Sequence, residues 1–333
     1  MRYETKIVGF TEIETCAACI KNGGIVAFPT ETVYGLGGDA FNEKAAEKIY
    51  EAKNRPADNP FIVHVHDISE IEKVGYLTPD AKKVFEAFAP GPITVVLKKR
   101  AEIPLKVTAG LDTVGVRIPS HDVARAFLKA CNTPVAAPSA NISKKVSPTL
   151  AEHVYSDLNG KIEYILDGGM SDVGIESTVI SLVKEPVILR PGAVTYSMLR
   201  KVLPDITVHN GEVDGTPASP GMKYKHYSPE VPCVLFSDTN SLMFEYNKIC
   251  NQGKKPIVLC LSDKSEELQK RGANVCSMGK TIEEVAGNMF ALMRHYESRS
   301  DYIFIQSVQS NGIGEAVMNR LIKSCGGRHV PGL

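Results

Sequence analysis

The chain contains no tryptophan, carries no net charge and has no long uninterrupted apolar run. Each absence closes off a class of function. With Lys plus Arg and Asp plus Glu both at 38, no global field draws the protein to nucleic acid or to an anionic lipid surface, so any polyanion must be met by a local site. No window approaches the roughly 18 consecutive apolar residues of a membrane span. The N-terminal stretch "MRYETKIVGFTEIE" lacks the apolar core of a signal peptide, and a cytoplasmic protein is expected. Eight cysteines occur at irregular spacing, several inside apolar runs such as "PIVLCLS", which suits reduced, buried thiols better than a disulfide framework. Cys16 and Cys19 form the one CxxC. A redox motif of that kind opens a helix directly after a strand, and a structural zinc site needs a second pair, which is missing; spacing i, i+3 on an apolar helix face is the simpler reading. There is no Walker A loop, no G-x-G-x-x-G turn, no G-x-S-x-G elbow, no repeat and no low-complexity tract.

At 333 residues the length points to two domains, each burying its own core. Short β-rich runs alternate with helical patterns over the first 200 or so positions: "GIVAFP", "FIVHV", "PITVVL", "VGVRIP", "PVAAP", "EYILDGG", "STVISLV" and "PVILR" read as strands. Helices are signalled by "NEKAAEKIYEAKN" with Asn42 as N-cap, by "TPDAKKVFEAFAPG" with Thr78 as cap and Pro79 in the first turn, and by "HDVARAFLKAC" and "TYSMLRKVL". The fold class is therefore α/β, with consecutive late strands implying a mixed rather than purely parallel sheet. The expected organisation is a catalytic domain over 1–205, a linker over 206–231 rich in Pro, Gly and Ser, and a smaller Rossmann-like α/β domain over 232–333. In that last part a helix near 239–251 and one opened by a Thr281/Glu284 capping box stand out.

Polar clusters sit at strand ends and in loops of the first domain, where α/β proteins place ligands. "PTETVYGLGGDA" (29–40) offers hydroxyls from Thr30, Thr32 and Tyr34, and its glycines read first as a turn, second as a close approach to a ligand. Lys53 and Arg55 close a helix ahead of Asn59; they are either dipole partners or a point charge and a bidentate fork for phosphate. His64 and His66 alternate onto one side of a strand, and no nearby cluster completes a metal site around them. Arg117 lies in an apolar strand, where an uncompensated charge is costly, so it needs a structural ion pair or an anionic ligand. Ser139, Asn141 and Ser147 follow a strand in "APSANISKKVSPT", Glu176 and Ser177 fall in "GIESTVISL", and Arg190 ends "PVILR". Together these cations, hydroxyls and amides are equipment for holding phosphates and a small polar substrate.

The ordered set "FPTETVYGLG", Lys53-x-Arg55, "NPFIVHV", "PGPITVVL", "VGVRIP", "APSANIS" and "GIESTVI" resembles the threonylcarbamoyl-AMP synthases, whose catalytic domain is YrdC-like. The likeness continues through "SPGMKYKHYSP" (219–229) into the extra C-terminal domain of the long form of that enzyme. It implies a YrdC-like twisted mixed sheet with flanking helices. It also implies conversion of L-threonine, bicarbonate and ATP to threonylcarbamoyl-AMP and pyrophosphate, with later transfer to adenosine 37 of tRNAs reading ANN codons by a separate tRNA threonylcarbamoyl transferase machinery. Carried over by position, Thr32, His64, Arg117, the backbone near Ala137 and Ser177 hold threonine. Lys53, Arg55, Asn59, Thr113, Ser139, Asn141, Ser147, Arg190 and Tyr227 hold ATP, and Mg²⁺ is held mainly by phosphate oxygens and water, with no protein ligand assigned. Lys53 and Arg55 carry the catalytic charge neutralisation and are expected to be solvated contacts whose replacement leaves the fold intact.

A non-catalytic RNA-binding module using the same basic concavity is the competing reading, weakened by the absence of tryptophan and of net positive charge. The hydrogenase-maturation carbamoyltransferases also contain a YrdC-like domain, but they resemble longer chains with paired CxxC motifs that are missing here. Within the linker, Lys223, Tyr224, Lys225, His226 and Tyr227 read as a lid folding over the nucleotide to keep water from a labile anhydride.

Overall fold

The computed structural model of the protein describes residues 3–209 and 227–330. Most of the expected lid, including Lys223, Tyr224, Lys225 and His226, lies outside the described residues. The chain divides into two compact units, and the division is not a single cut. The first holds Met1–Ser143, Ser147–Asp172 and Glu176–Tyr224; the second holds Lys225–Leu333 together with two short segments from within the first part of the sequence, Lys144–Val146 and Val173–Ile175.

In the first unit β1 Lys6–Val8, β2 Val26–Phe28, β3 Gly35–Asp39, β4 Ile62–His64, β5 Ile93–Lys98, β6 Thr113–Arg117, β7 Val135–Ala137, β8 Tyr164–Leu166, β9 Thr178–Ser181, β10 Val187–Arg190 and β11 Thr207–Val208 form one sheet. Its order is β1-β8-β2-β3-β7-β4-β6-β5-β9-β10-β11. The sheet is mixed: β4 runs parallel to β6 and β5 to β9, while β7 against β4 and β5 against β6 are antiparallel. Among the described residues six helices accompany it, α1 Ile13–Lys21, α2 Glu43–Lys53, α3 Pro79–Phe88, α4 Asp122–Cys131, α5 Ala151–Leu158 and the short α6 Tyr196–Leu199. Cap chemistry places the starts of two of them. The Asn42 side-chain oxygen accepts from the amides of Lys44 and Ala45, and Thr78 Oγ1 accepts from Ala81 N–H ahead of Pro79. Cys16 is buried on α1 among Ile13, Ala17 and Ile20, so the CxxC is a helix face, and burial pushes the Cys19 thiol up to about 11.

Strand β3 departs from the sequence expectation. "GLGGD" was expected to turn; it is a strand hydrogen-bonded between β2 and β7. None of Gly35, Gly37 and Gly38 has a positive φ. Their glycine character serves packing instead: a Cβ on Gly37 would lie 2.5 Å from Val135 Cγ1, and one on Gly38 3.0 Å from the Ala45 Cβ of α2. Short strands β1 and β11 also carry too little pattern to stand out.

The second unit is a five-stranded sheet, β12 Cys233–Phe236, β13 Pro256–Leu261, β14 Val275–Gly279, β15 Tyr302–Gln306 and β16 His329–Val330, in the order β14-β13-β15-β12-β16. All of its pairings are parallel, as a Rossmann-like domain requires. Helices α7 Thr239–Asn251, α8 Ser262–Lys270, α9 Ile282–Tyr296 and α10 Ile313–Ser324 connect the strands. Thr281 Oγ1 caps α9 by accepting from Glu284 N–H, while the Glu284 carboxylate reaches back to Lys280 N–H.

Candidate active site

Strand register assembles the polar cluster. His64 of β4 stands opposite Val135 on one side and Arg117 of β6 on the other. Continuing the β5–β6 register brings Thr94 opposite Arg117; Thr94 in turn faces Val179, and Val179 faces Arg190. Val135, His64, Arg117, Thr94, Val179 and Arg190 thus form one lateral row on one face of the sheet. Toward β2 that face is apolar, with Val26, Phe28, Val135 and Ala137 packed under α1 and α4 beside Ile20 and Phe127. Beyond His64 it turns polar. A buried side chain such as Phe127 stabilises by about 2 kcal/mol relative to exposure, so the apolar half anchors the plane on which the polar half is carried.

Arg117 is the centre of the row. Its Nη1 donates to Thr32 Oγ1 at 2.8 Å, and its Nη2 lies 2.8 Å from Glu31 Oε1. Both members of that ion pair are buried, which answers the charge problem posed by an arginine in an apolar strand. Arg117 Nε and Nη2 and both Glu31 carboxylate oxygens are buried without a hydrogen bond among the described residues, so the pair is held by charge and leaves donors and acceptors open. The loop carrying Glu31 and Thr32 is tied down by its neighbours. Thr30 Oγ1 donates to Val33 O at 2.6 Å, the Tyr34 hydroxyl lies 2.8 Å from Gly169 O, Tyr34 N–H donates to Pro148 O, and Tyr34 O accepts from Ala140 N–H.

His64 is buried next to this pair, and its Nδ1 lies 3.1 Å from Ile62 O; since a carbonyl can only accept, Nδ1 carries the proton. Burial, reinforced by the Arg117 charge, lowers its pKa to about 3, which favours the neutral imidazole. His66 lies beyond the end of β4 and pairs with Glu70 at 2.6 Å, so the two histidines share no site. Among the described residues no three His, Cys, Asp or Glu side chains come together as a metal cluster.

Ser177 joins the other end of the row. Its hydroxyl lies 2.7 Å from Thr94 Oγ1 and accepts from Arg190 Nη2 at 3.2 Å, while Arg190 Nε donates to the Ser177 carbonyl. One residue earlier, Glu176 Oε1 accepts from Ser147 Oγ at 2.6 Å.

Of the remaining expected residues, Lys53, Ser139 and Asn141 meet at the loop after β7, and the others do not. Lys53, at the end of α2, is only 1% exposed, and its ammonium donates to the carbonyls of Ser139 and Asn141. This overturns the expectation of a solvated lysine: the charge is delivered from inside the fold, where it braces the "APSANIS" loop. Ser139 Oγ lies against Asn141 Oδ1, and Asn141 Nδ2 donates to Ile142 O. Arg55 is half-buried, with its Nη2 donating to the carbonyls of Asn59 and Pro60. Asn59 is buried, and its Oδ1 has no hydrogen-bond partner among the described residues. Ala137 pairs with Ile62 one step along the strands from the His64 row. Thr113 stands at the opposite end of β6 from Arg117, about 13 Å along the strand, so the row does not include it. Tyr227 belongs to the second unit, where it is buried and stacks on Phe290 at 5.4 Å.

Sequence reasoning passed over Glu31 and Thr94. Glu31 lies inside a quoted motif, and the carboxylate needed by a buried arginine was a usable signal. Thr94 is the polar residue that interrupts the apolar run "PITVVL", but only register reveals that it meets Ser177.

Comparison with known proteins agrees with this architecture along the whole chain. A family model described as telomere recombination, covering the Sua5, YciO and YrdC proteins, matches residues 18–192, and the threonylcarbamoyl-AMP synthase C-terminal domain matches residues 194–326. The threonylcarbamoyl-AMP synthase of Pyrococcus abyssi is 41% identical over 328 residues, 95% of each chain. That of Bacillus subtilis is 42% identical over 327 residues, 95% of this chain and 94% of the other. The crystal structure of P. abyssi Sua5 complexed with L-threonine superposes with a TM-score of 0.91 at 40% identity, covering 99% of each chain. Escherichia coli YciO, at 24% identity and a TM-score of 0.51 over 56% of this chain and 95% of its own, shares the fold. The chain therefore belongs to the Sua5/YciO/YrdC family, with the C-terminal domain of its threonylcarbamoyl-AMP synthases.

Proposed function

We propose that the protein is an L-threonylcarbamoyladenylate synthase, a nucleotidyltransferase acting on L-threonine, bicarbonate or CO2, and ATP in the cytoplasm. The observation that carries this reading is the buried row in which Arg117 keeps an unpartnered Nε beside neutral His64 and the Thr32 hydroxyl, in a chain 41% identical to such a synthase. The open donor suits the carboxylate of threonine, which Glu31 must then share or release. Thr32, His64, Arg117, Ala137 and Ser177 are assigned to threonine; Lys53, Arg55, Asn59, Thr113, Ser139, Asn141, Ser147, Arg190 and Tyr227 are assigned to ATP.

The chemistry asks for placement rather than a protein nucleophile. Threonine's amine adds to CO2, a proton leaves, and the carbamate oxygen attacks the α-phosphorus as the bond to the β-phosphate oxygen breaks and pyrophosphate departs. Arg190 and Arg55 would neutralise charge that moves onto the phosphates, and Lys53 would hold the loop presenting Ser139 and Asn141. The unpartnered Asn59 Oδ1 fits a ligand hydroxyl or amine. Mg²⁺ accompanying ATP is assigned to phosphate oxygens and water, the coordination it favours. The product is a reactive mixed anhydride, which suits consumption by a transferase that modifies tRNA. The RNA-binding alternative is set aside, because the curated relatives matched along the whole chain are named as synthases and the composition lacks a basic bias.

Purified protein given ATP, threonine and bicarbonate should release pyrophosphate and form threonylcarbamoyl-AMP, measured by coupled assay and mass spectrometry. Release that is equally fast without threonine, or without bicarbonate, would refute the reading.

A further inference from the structure

Two short stretches of the first part of the sequence, Lys144–Val146 and Val173–Ile175, belong to the second unit. Each ends where a residue of the candidate site begins: Val146 is followed by Ser147, and Ile175 by Glu176, and these two side chains are joined by the 2.6 Å hydrogen bond from Ser147 Oγ to Glu176 Oε1. Ser177 and its link to Arg190 come next in the chain.

Arg294, on α9, holds the first stretch. It is 8% exposed, and both Nε and Nη2 donate to the Val146 carbonyl. The same stretch is gripped at its other end: Lys144 O accepts from Ser228 N–H at 3.1 Å, and Lys145 pairs with Glu230 at 2.7 Å. Lys144 and Tyr227 both sit at positive φ, 78° and 64°, conformations that cost non-glycine residues free energy and persist only where neighbours over-determine them. Tyr227 is held by its stack on Phe290, one turn before Arg294 on the same helix. The second stretch meets α9 through Gly174, at φ +70°, where a Cβ would lie 2.5 Å from Ala286 O and from Gly287 Cα. One helix of the second unit therefore touches both stretches, by a charged side chain at Val146 and by bare backbone at Gly174.

We propose that Arg294 is a positioning residue of the reaction: by fixing the Val146 carbonyl it sets where Ser147 stands, and through the Ser147–Glu176 bond it sets the entry to Ser177. It touches no substrate. A double donor from a planar guanidinium to one carbonyl defines direction as well as distance, which is what a loop presenting a nucleotide-binding hydroxyl needs and what a general packing contact does not supply. The proposal rests on the synthase reading for the assignment of Ser147 to ATP.

The test is a double-mutant cycle in the full-length chain, reading pyrophosphate release and, by calorimetry, ATP binding, with folding checked by circular dichroism and thermal unfolding. Arg294→Ala should raise KM and Kd for ATP by about tenfold while KM for threonine stays within about twofold, and adding Arg294→Ala to Ser147→Ala should cost less than about twofold more. Arg294→Lys, keeping a charged donor without the fork, should restore part of the ATP affinity. Independent, multiplying losses in the cycle, or equal rises in both KM values, overturn the proposal. If Arg294→Ala does not fold, Arg294→Lys decides: a rise in KM confined to ATP, about threefold, supports it and no such split overturns it. Wild-type protein that releases pyrophosphate without needing threonine sinks the synthase reading and this proposal with it, whereas threonine-dependent release with independent losses sinks this proposal alone.

Discussion

Lys53 shows how a residue keeps its assignment and changes its physics. A lysine that ends a helix suggests a solvated cation, but its stem runs into the protein and its ammonium donates to the Ser139 and Asn141 carbonyls. Lys53→Ala would leave those carbonyls without their donor, and destabilisation of about 3 kcal/mol is expected, read as a lowered urea midpoint. An unchanged midpoint with lost activity would return Lys53 to the role of a phosphate contact alone. His64 makes a prediction about pH. Its folded pKa, about 3, lies below the ordinary histidine value of 6.5, so between those limits the unfolded chain binds a proton that the folded one does not. Stability from this group is complete above about pH 6.5 and falls as pH drops toward 3, by at most about 1.4 kcal/mol per pH unit. His64→Gln should flatten the pH dependence of the urea midpoint between pH 6.5 and 5. A parallel curve, merely offset, would show that the imidazole is not held neutral.

At the scale of elements, the sequence was most readable where local chemistry decides. Caps at Asn42, Thr78 and Thr281 act within one turn of chain, and the structure uses all of them. The alternation in "FIVHV" and "VGVRIP" likewise reports a pleat that any sheet would impose. Strand β3 was unreadable for the opposite reason: glycine has no strand preference, and what makes "GLGGD" a strand is the closeness of Phe28, Val135 and α2, all distant or on other elements. Gly37→Ala should accordingly cost about 1–3 kcal/mol, because the new methyl meets Val135 and Phe28 in a packed layer. Differential scanning calorimetry would measure it, and a neutral result would mean the glycine is there for the ligand after all. The ion pair of Arg117 belongs to this scale too: the sequence demanded a counter-charge, and only the return of the 29–34 loop over the sheet face identified Glu31.

For the molecule as a whole, the two units share no simple boundary, since Lys144–Val146 and Val173–Ile175 are counted with the residues from 225 onward. Deleting residues 227–333 removes Arg294, Ser228 and Glu230 from the first of these stretches and α9 from the second. The remaining chain should unfold at a midpoint lower by about 5 °C or more, as calorimetry would record. An unchanged midpoint would show that these stretches need no support from residues 227–333.

The sequence by itself determined the α/β class, the mixed sheet, the helix starts at Asn42, Thr78 and Thr281, and the family, because each rests on patterns that repeat within a few residues or on motifs met in order along the chain. It also supplied the chemical types of the site, cations and hydroxyls at strand ends. Tertiary structure alone decided which of them meet. The row from His64 to Arg190 depends on strand register, Lys53 faces inward because α2 packs where it does, and Val146 finds Arg294 across 148 positions of chain. Such pairings are fixed by the packing of distant surfaces, and no local pattern of residues encodes them.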